Sequence, residues 1–304
     1  MAELIVYGIV LGSIISLGAI GITLIYGIVR MANFAHGELM TAGAYIALLI
    51  VSVILPWLGV PDTTFGPLSF GWRMLIAFPL SMASVAFIGI FFDRLLYKKL
   101  RFKNSSAVIL AMSSLGVSFI IRMIVLIITG PDYRFFRPGV MRPAIHLPLG
   151  IKIRPDQIFI VALVVVLVVL LHLFLQRTKM GKAMRATADN TELALISGID
   201  TEGIVMWTWG IGGGLAAAAG MLYGIDVQLH PGMGWNFLIP LFAAAILGGI
   251  GNMYGALVGG LVIGIAEQLS TAVLTPTYKL AVAFMIMILI LFIKPEGIFG
   301  GSDK

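Results

Sequence analysis

Eight apolar runs, nearly free of charge, constrain the fold of this chain more than any other feature. They are Leu4–Val29, Leu39–Leu55, Met74–Phe92, Ala107–Thr129, Gln157–Leu175, Ile204–Ile225, Leu238–Ser270 and Leu280–Ile293. About 20 apolar residues in a helix cross the hydrocarbon of a bilayer. Hydrocarbon offers the backbone no hydrogen bonds, so runs of this kind must fold as helices. Composition agrees: 60% of the residues are hydrophobic and 11% are charged, where soluble domains carry roughly 25% charged residues. The expected fold is an all-α integral membrane protein, a polytopic bundle of about eight hydrophobic segments in one domain spanning 1–304. The opening MAELIVYGIVLGSII lacks a basic stretch, so the first run is expected to span and not to be cleaved as a signal. The chain has no cysteine, which excludes disulfides, thiolate metal sites and thiol chemistry.

Lysine and arginine in the connections set orientation. With the N-terminus outside, the inner connections hold Arg30, Arg94, Lys98, Lys99, Arg101, Lys103, Arg177, Lys179, Lys182 and Arg185. The outer ones hold Arg73, Arg134, Arg137, Arg142, Lys152 and Arg154. The bias favours this orientation. Most of the outer charge belongs to residues 130–156, rich in proline and aromatics, which are expected to form an extracytoplasmic cap with a hairpin around Leu149-Gly150. The net charge of +6 needs no nucleic acid to explain it; inner-leaflet lipid and partner proteins suffice.

The connection 176–203 (QRTKMGKAMRATADNTELALISGIDTE from Gln176) is longer than two spans require. Four basic residues and four acidic ones (Asp189, Glu192, Asp200, Glu202) lie along it. Met180–Ala188 is built of good helix formers. Asp189, Asn190 and Thr191 suit the start of a second helix, with Glu192 three residues after Asp189 as in a capping box. Gly198 suits a left-handed stop. Such a charged helix pair is either a solvated connector or a docking surface.

Two apolar stretches are interrupted. Residues 231–266 hold no charge, yet the stretch is too long for one simple helix, and LGGIGNMYG places Gly248, Gly249, Gly251 and Gly255 around Asn252. Glycine at that density disfavours a straight helix. It suits two half-helices meeting at mid-membrane, or close helix packing through Gly255/Gly259 and Gly260/Gly264. The stretch from Tyr26 to Glu38 breaks the first half in a comparable way, and Asn33-Phe-Ala-His-Gly-Glu-Leu loosely echoes Asn252-Met-Tyr-Gly-Ala-Leu. Paired breaks of this kind suggest an internal repeat with a route between the halves. His36 and Glu38 equally fit an ordinary helix N-terminus, where the dipole favours the carboxylate.

Arg122 and Glu267 lie inside apolar runs, where a charge is a functional candidate. Arg122 is close enough to Thr129 to snorkel outward. Neither has an ionisable neighbour one helical turn away, so neither forms a proton relay. No GxxxxGK[ST] occurs, and Met180-Gly-Lys-Ala lacks the leading glycine and the hydroxyl that would hold magnesium. No HExxH or GxSxG appears either, so an intramembrane enzyme would lack a nucleophile and a metal. A secondary transporter or channel working alone would explain the breaks and leave the long connection without a purpose.

The run from Tyr26 to Tyr45 (YGIVRMANFAHGELMTAGAY) resembles the signature of the branched-chain amino-acid permeases of ABC importers, of the smaller permease type. The resemblance continues through GKAMRATADNTELALISGI from Gly181, AILGGIGNMYGALVGG from Ala245 and FIKPEGIFG from Phe292, so it covers nearly the whole chain. It implies a non-catalytic subunit without cofactor or metal in a bacterial cytoplasmic membrane, moving branched-chain or other hydrophobic amino acids. Related importers move urea, short amides or aromatic acids. The implied partners are a second permease, identical or homologous, two cytoplasmic ATP-binding subunits, and a periplasmic or lipid-anchored binding protein. By the same resemblance Gly181, Arg185, Asp189, Glu192, Ala194 and Gly198 belong to an ATPase-coupling element, Ala194 and Gly198 keeping the small-then-glycine spacing. Ala186-Thr187-Ala188 stands where importer permeases often have a glutamate. Asn33, His36, Glu38, Gly251, Asn252, Gly255 and Ala256 are the corresponding candidates for the translocation route.

Overall fold

The computed structural model describes residues 1–136, 143–146 and 152–300. Its long helices are α1 (Ala2–Val29), α2 (His36–Trp57), α3 (Trp72–Phe102), α4 (Ala107–Thr129), α5 (Pro155–Arg177), α8 (Thr201–Asp226), α10 (Met253–Ser270) and α11 (Pro276–Ile293), all long and apolar enough to cross a membrane. Between them lie the short α6 (Lys179–Asp189) and α7 (Thr191–Ile196), and α9 (Met233–Gly248). The polytopic all-α membrane fold is thus as expected. α2 and α3 each pass through one wide π turn, at Ile50–Ile54 and Asp93–Tyr97.

α1 is the central helix, and α8 is nearly as enclosed. α1 packs antiparallel on α10 along a seam of small residues. A Cβ built on Gly12 would stand 2.8 Å from Leu261 Cα, and one on Gly8 2.7 Å from Ile265 Cα. Between lipid-embedded helices there is no hydrophobic drive to associate, and van der Waals contact between closely approached backbones does that work. Ser16 adds a hydrogen bond from Oγ to the Leu257 carbonyl at 2.7 Å.

Of the two arrangements that suit the stretch Leu238–Ser270, the described residues show the close helix packing. α9 and α10 form an antiparallel hairpin, with Gly248 against Gly255 and Ala244 against Gly259. The turn between them lies at the end of the bundle that carries α6: Gly251 and Asn252 share a cavity with Gly27, Arg185 and Ala188. The glycines therefore bring two helices together at an end and do not open one in its middle. The final segment packs on this turn, Ile298 N–H donating to the Leu247 carbonyl at 2.8 Å. This puts residues 294–300 at the same end as α6 and α7.

The opposite end is tied by polar contacts. Arg154 Nη2 reaches Asp226 Oδ1 at 2.6 Å, and Gln157 Nε2 donates to the same oxygen at 3.0 Å. Arg134 and Leu229 exchange both backbone hydrogen bonds at 2.9 and 2.8 Å. The expected hairpin in 130–156 has its two short strands, β1 (Ile145–His146) and β2 (Lys152–Ile153), paired antiparallel with Ile145 opposite Ile153. Leu149 and Gly150 themselves lie outside the described residues.

Candidate coupling face and translocation route

The connection after α5 folds back on its own span. Thr178 caps α6 by accepting from Gly181 N–H at 2.9 Å, and a Cβ on Gly181 would sit 2.5 Å from Leu175 Cα. α7 begins at Asn190, whose Oδ1 accepts from Leu193 N–H at 2.9 Å. The expected capping box on Asp189 and Glu192 does not form. Asp189 is the last residue of α6, so Asn190 is the first residue with the extended backbone a cap needs. Gly198 does end α7 in the left-handed region, at φ 81°. Gly198 N–H bonds the Leu195 carbonyl and Ile199 N–H bonds the Ala194 carbonyl, both at 3.0 Å, which is the Schellman arrangement.

This pair offers a mixed surface. Arg185, Asp189, Glu192 and Gly198 are exposed, whereas Gly181 and Ala194 are buried against the chain itself. Leu193, Leu195 and Ile196 stand out from α7, Ile196 with 80% of its surface exposed. No charge or spacing rule singles these three out. Only the burial of Ala194 shows which face of α7 is turned away. Beside them, Lys98 and Arg101 of α3 approach Glu202 at the start of α8, at 3.3 and 3.8 Å.

The break between α1 and α2 is wired to α6. Arg30, left-handed at φ 56°, ends α1, and its Nη2 donates to the Ala188 carbonyl at 2.6 Å. That carbonyl is at the C-terminal end of α6, where the helix dipole favours a cation. From Arg30 the chain returns without helical hydrogen bonding to Ala35. Side chains replace part of the lost helix bonding. Asn33 Oδ1 accepts from Ala35 N–H at 3.1 Å. Ser114 of α4 accepts from Phe34 N–H at 3.0 Å and donates to the Ala32 carbonyl at 3.2 Å.

α2 then starts deep in the bundle. His36 Nε2 donates to the Gly18 carbonyl at 3.0 Å. Gly18 is nine residues before Gly27, about 14 Å along α1 at 1.5 Å per residue. The N-termini of α2 and α9 meet here. Backbone at Gly37 lies against backbone at Gly234, and Gly234 N–H donates to Thr41 Oγ1 at 3.0 Å. Asn33, His36 and Glu38 are all buried. Asn33 Nδ2, His36 Nδ1 and both Glu38 carboxylate oxygens have no hydrogen-bond partner among the described residues. Leaving a buried polar group unpaired costs about 1–3 kcal/mol, and four such atoms gather at the start of α2, with single ones elsewhere at Thr23, Tyr45, Tyr97, Trp209 and Glu267.

The route candidates therefore fall into two groups. Asn33, His36 and Glu38 are together at the deep start of α2. Gly251, Asn252, Gly255 and Ala256 are at the α9–α10 turn near α6. There Asn252 caps α10, its Oδ1 accepting from Tyr254 and Gly255 N–H at 3.0 and 3.1 Å and its Nδ2 donating to the Phe299 carbonyl at 3.2 Å. Gly255 and Ala256 are buried in the hairpin seam. A cavity of about 270 Å³ joins Asn252 to Arg185 and Thr23. Arg122, able to snorkel by its position, has its Nη2 beside Gly232 in the α8–α9 link, close to His230. Burial, and then the Arg122 cation, push the His230 imidazole below its ordinary pKa, so it is neutral at pH 7. Among the described residues no cluster of His and carboxylates could hold a metal ion.

Residues 4–291 match a family described as the permease component of a branched-chain amino acid transport system. The high-affinity branched-chain amino acid transport system permease protein LivH of Escherichia coli K12 is 34% identical over 306 aligned residues, covering 97% of this chain and 94% of LivH. BraD of Pseudomonas aeruginosa, of the same description, is 35% identical over 302, covering 98% and 95%. A probable branched-chain amino acid transport permease protein LivH of Methanocaldococcus jannaschii is 30% identical over 312, covering 97% and 91%.

Proposed function

The chain belongs to the family of branched-chain amino acid transport system permeases, and from that membership and the site geometry we propose that it is the membrane-spanning subunit of an ABC importer in a bacterial cytoplasmic membrane. Its cargo is a branched-chain or other hydrophobic amino acid. It hydrolyses no ATP itself; two cytoplasmic ATP-binding subunits supply the energy, a binding protein delivers the cargo, and a second permease completes the route.

In this reading α6 and α7 are the coupling element. Leu193, Leu195 and Ile196 present an apolar knob that an ATPase cleft grips, with Glu192 and Arg185 flanking it. The expected cap belongs to the opposite face, where Arg134 pairs with Leu229 and Arg154 reaches Asp226. The observation that carries the mechanism is the hydrogen bond from Arg30 to the Ala188 carbonyl, at 2.6 Å. When ATP closes the paired ATPases, α6 moves, and Arg30 passes that displacement to the non-helical segment ending at Ala35. A helix resists axial bending, whereas a segment held by single side-chain hydrogen bonds has alternatives of similar energy. Rearranging it shifts the buried face of Asn33, His36 and Glu38 between the two sides of the membrane.

The test is reconstitution in proteoliposomes with the cognate ATPases and binding protein. ATP-driven leucine uptake by the complete assembly, and none by the chain alone, is the expected result. Concentrative uptake by the chain alone under a proton or sodium gradient would replace this reading with a secondary transporter.

A further inference from the structure

Arg122 stands on α4 one turn before Val125, which packs with Tyr45, Leu229 and Met233. This face of α4 is thus closed by α2 and by the link 227–232. Gly232 leaves the space that the guanidinium uses: a Cβ there would meet Arg122 Nη2 at 3.2 Å and His230 Nδ1 at 3.5 Å. Among the described residues Arg122 makes neither an ion pair nor a hydrogen bond. Glu38 faces the same region from the first turn of α2, 1% exposed, with both carboxylate oxygens unpartnered. Arg122 reaches the start of α9 at Gly232, and Glu38 stands one turn before Thr41, which accepts from Gly234 N–H at the same place; among the described residues no ion pair joins the two. Beside Arg122 on α4, the Phe119 ring stacks on Trp235 of α9 at 6.0 Å between centroids. Both rings are partly exposed, at 46% and 41%. Thr41 and His230 complete the surroundings, the former held by Gly234 N–H and the latter edge-on to Tyr133 at 5.7 Å.

An arginine and a glutamate inside a bundle are costly unless something pairs them. Direct contact would satisfy them at once, and the geometry keeps them apart. Charges separated in this way match a molecule that carries both signs. We propose that Arg122 and Glu38 form a two-point subsite for a zwitterionic amino acid, the guanidinium holding the carboxylate and the Glu38 carboxylate holding the ammonium, with Phe119 and Trp235 as the wall for its apolar side chain. The guanidinium fork matches a carboxylate in two parallel hydrogen bonds, which a lysine does not reproduce. The neutral His230 adds a donor or acceptor without a competing charge. The subsite deepens the proposed importer function and rests on it.

The test uses the complete importer in proteoliposomes, with Met123→Cys, one turn after Phe119 on α4 and 44% exposed, as the only cysteine of the permease. L-Leucine is expected to slow labelling of that cysteine by a small aqueous thiol reagent at least threefold. Isoamylamine, which lacks the carboxylate, and isocaproate, which lacks the ammonium, are expected not to. Adding Arg122→Gln or Glu38→Gln should abolish the protection, and each variant alone should lower leucine uptake at least tenfold while still copurifying with the ATPases. If a variant fails to copurify, Gly232→Val serves in its place, because its side chain fills the space at Arg122 without removing a charge. Leucine uptake by the wild type combined with no protection, or with protection that survives Arg122→Gln, overturns the subsite and leaves the importer reading standing. No leucine uptake by the wild-type assembly overturns the importer reading and the subsite with it.

Discussion

Replacing Gly198 isolates the backbone contribution to coupling. No atom lies within 4 Å of the position a Cβ would take, so steric exclusion plays no part. Only the conformation matters: φ is 81°, and the Schellman hydrogen bonds from Gly198 and Ile199 depend on it. An L-residue in the left-handed region costs about 1–2 kcal/mol, more when β-branched, whereas Asn tolerates it. α7 has six residues and no reserve of helix stability to absorb the loss. A change of about 2 kcal/mol lowers the ratio of native to distorted α7 roughly 30-fold, since about 1.4 kcal/mol is tenfold. Gly198→Val is therefore expected to reduce leucine uptake by an order of magnitude or more, Gly198→Ala by a smaller factor, and Gly198→Asn least. Uptake by the reconstituted assembly and recovery of the permease with its ATPases measure this. Wild-type uptake by Gly198→Val, or Asn behaving as badly as Val, would refute the backbone argument.

Three further outcomes follow from named contacts. Arg30→Met removes the bond to the Ala188 carbonyl, about 1 kcal/mol; ATPase activity should persist while uptake per ATP falls, and an unchanged ratio would show that the bond transmits nothing. Gly12→Leu overfills the α1–α10 seam, where backbone already stands 2.8 Å from the added Cβ; overpacking costs about 1–3 kcal/mol or more, and detergent-extracted protein should lose its single size-exclusion peak or melt earlier. His230 has a lowered pKa, so the unfolded chain binds more protons at this residue than the folded one does as pH falls through the ordinary histidine range near about 6.5; the melting temperature should drop there, and His230→Gln should lessen that drop.

The bundle was readable from sequence because its determinants are local. Apolar runs bounded by charge locate the spans to within a few residues, and Gly198 announces its own left-handed turn. What local pattern leaves open depends on distant partners. The glycines from Gly248 to Gly264 fit a broken helix and a tight hairpin equally well; only the contacts of Gly248 with Gly255 and of α10 with α1 decide for the hairpin. The cap of α7 moved by one residue because α6 runs on through Asp189, a boundary no local rule sets that finely. Arg122 can snorkel by its position alone, and only the fold shows that its guanidinium comes beside Gly232. Leu193, Leu195 and Ile196 look like any helix core, and only the burial of Ala194 reveals them as the outer face.

Thiol accessibility of position 33 follows the proposed motion at its source. The chain has no cysteine of its own, so Asn33→Cys is a clean reporter, and Val165→Cys, 56% exposed one turn from Val161, Ala162, Val168 and Val169, serves as the lipid-facing reference. Asn33 is 1% exposed in this conformation, and Ala256 is fully packed in the hairpin seam. If ATP drives the segment from Arg30 to Ala35 between arrangements, Asn33→Cys in the complete importer should react with a small aqueous thiol reagent in one nucleotide state and resist it in the other, with Ala256→Cys and Val165→Cys inert in both. Equal inertness of positions 33 and 165 in the nucleotide-free and ATP-trapped states would mean that the break is a static packing joint and that α6 moves something else.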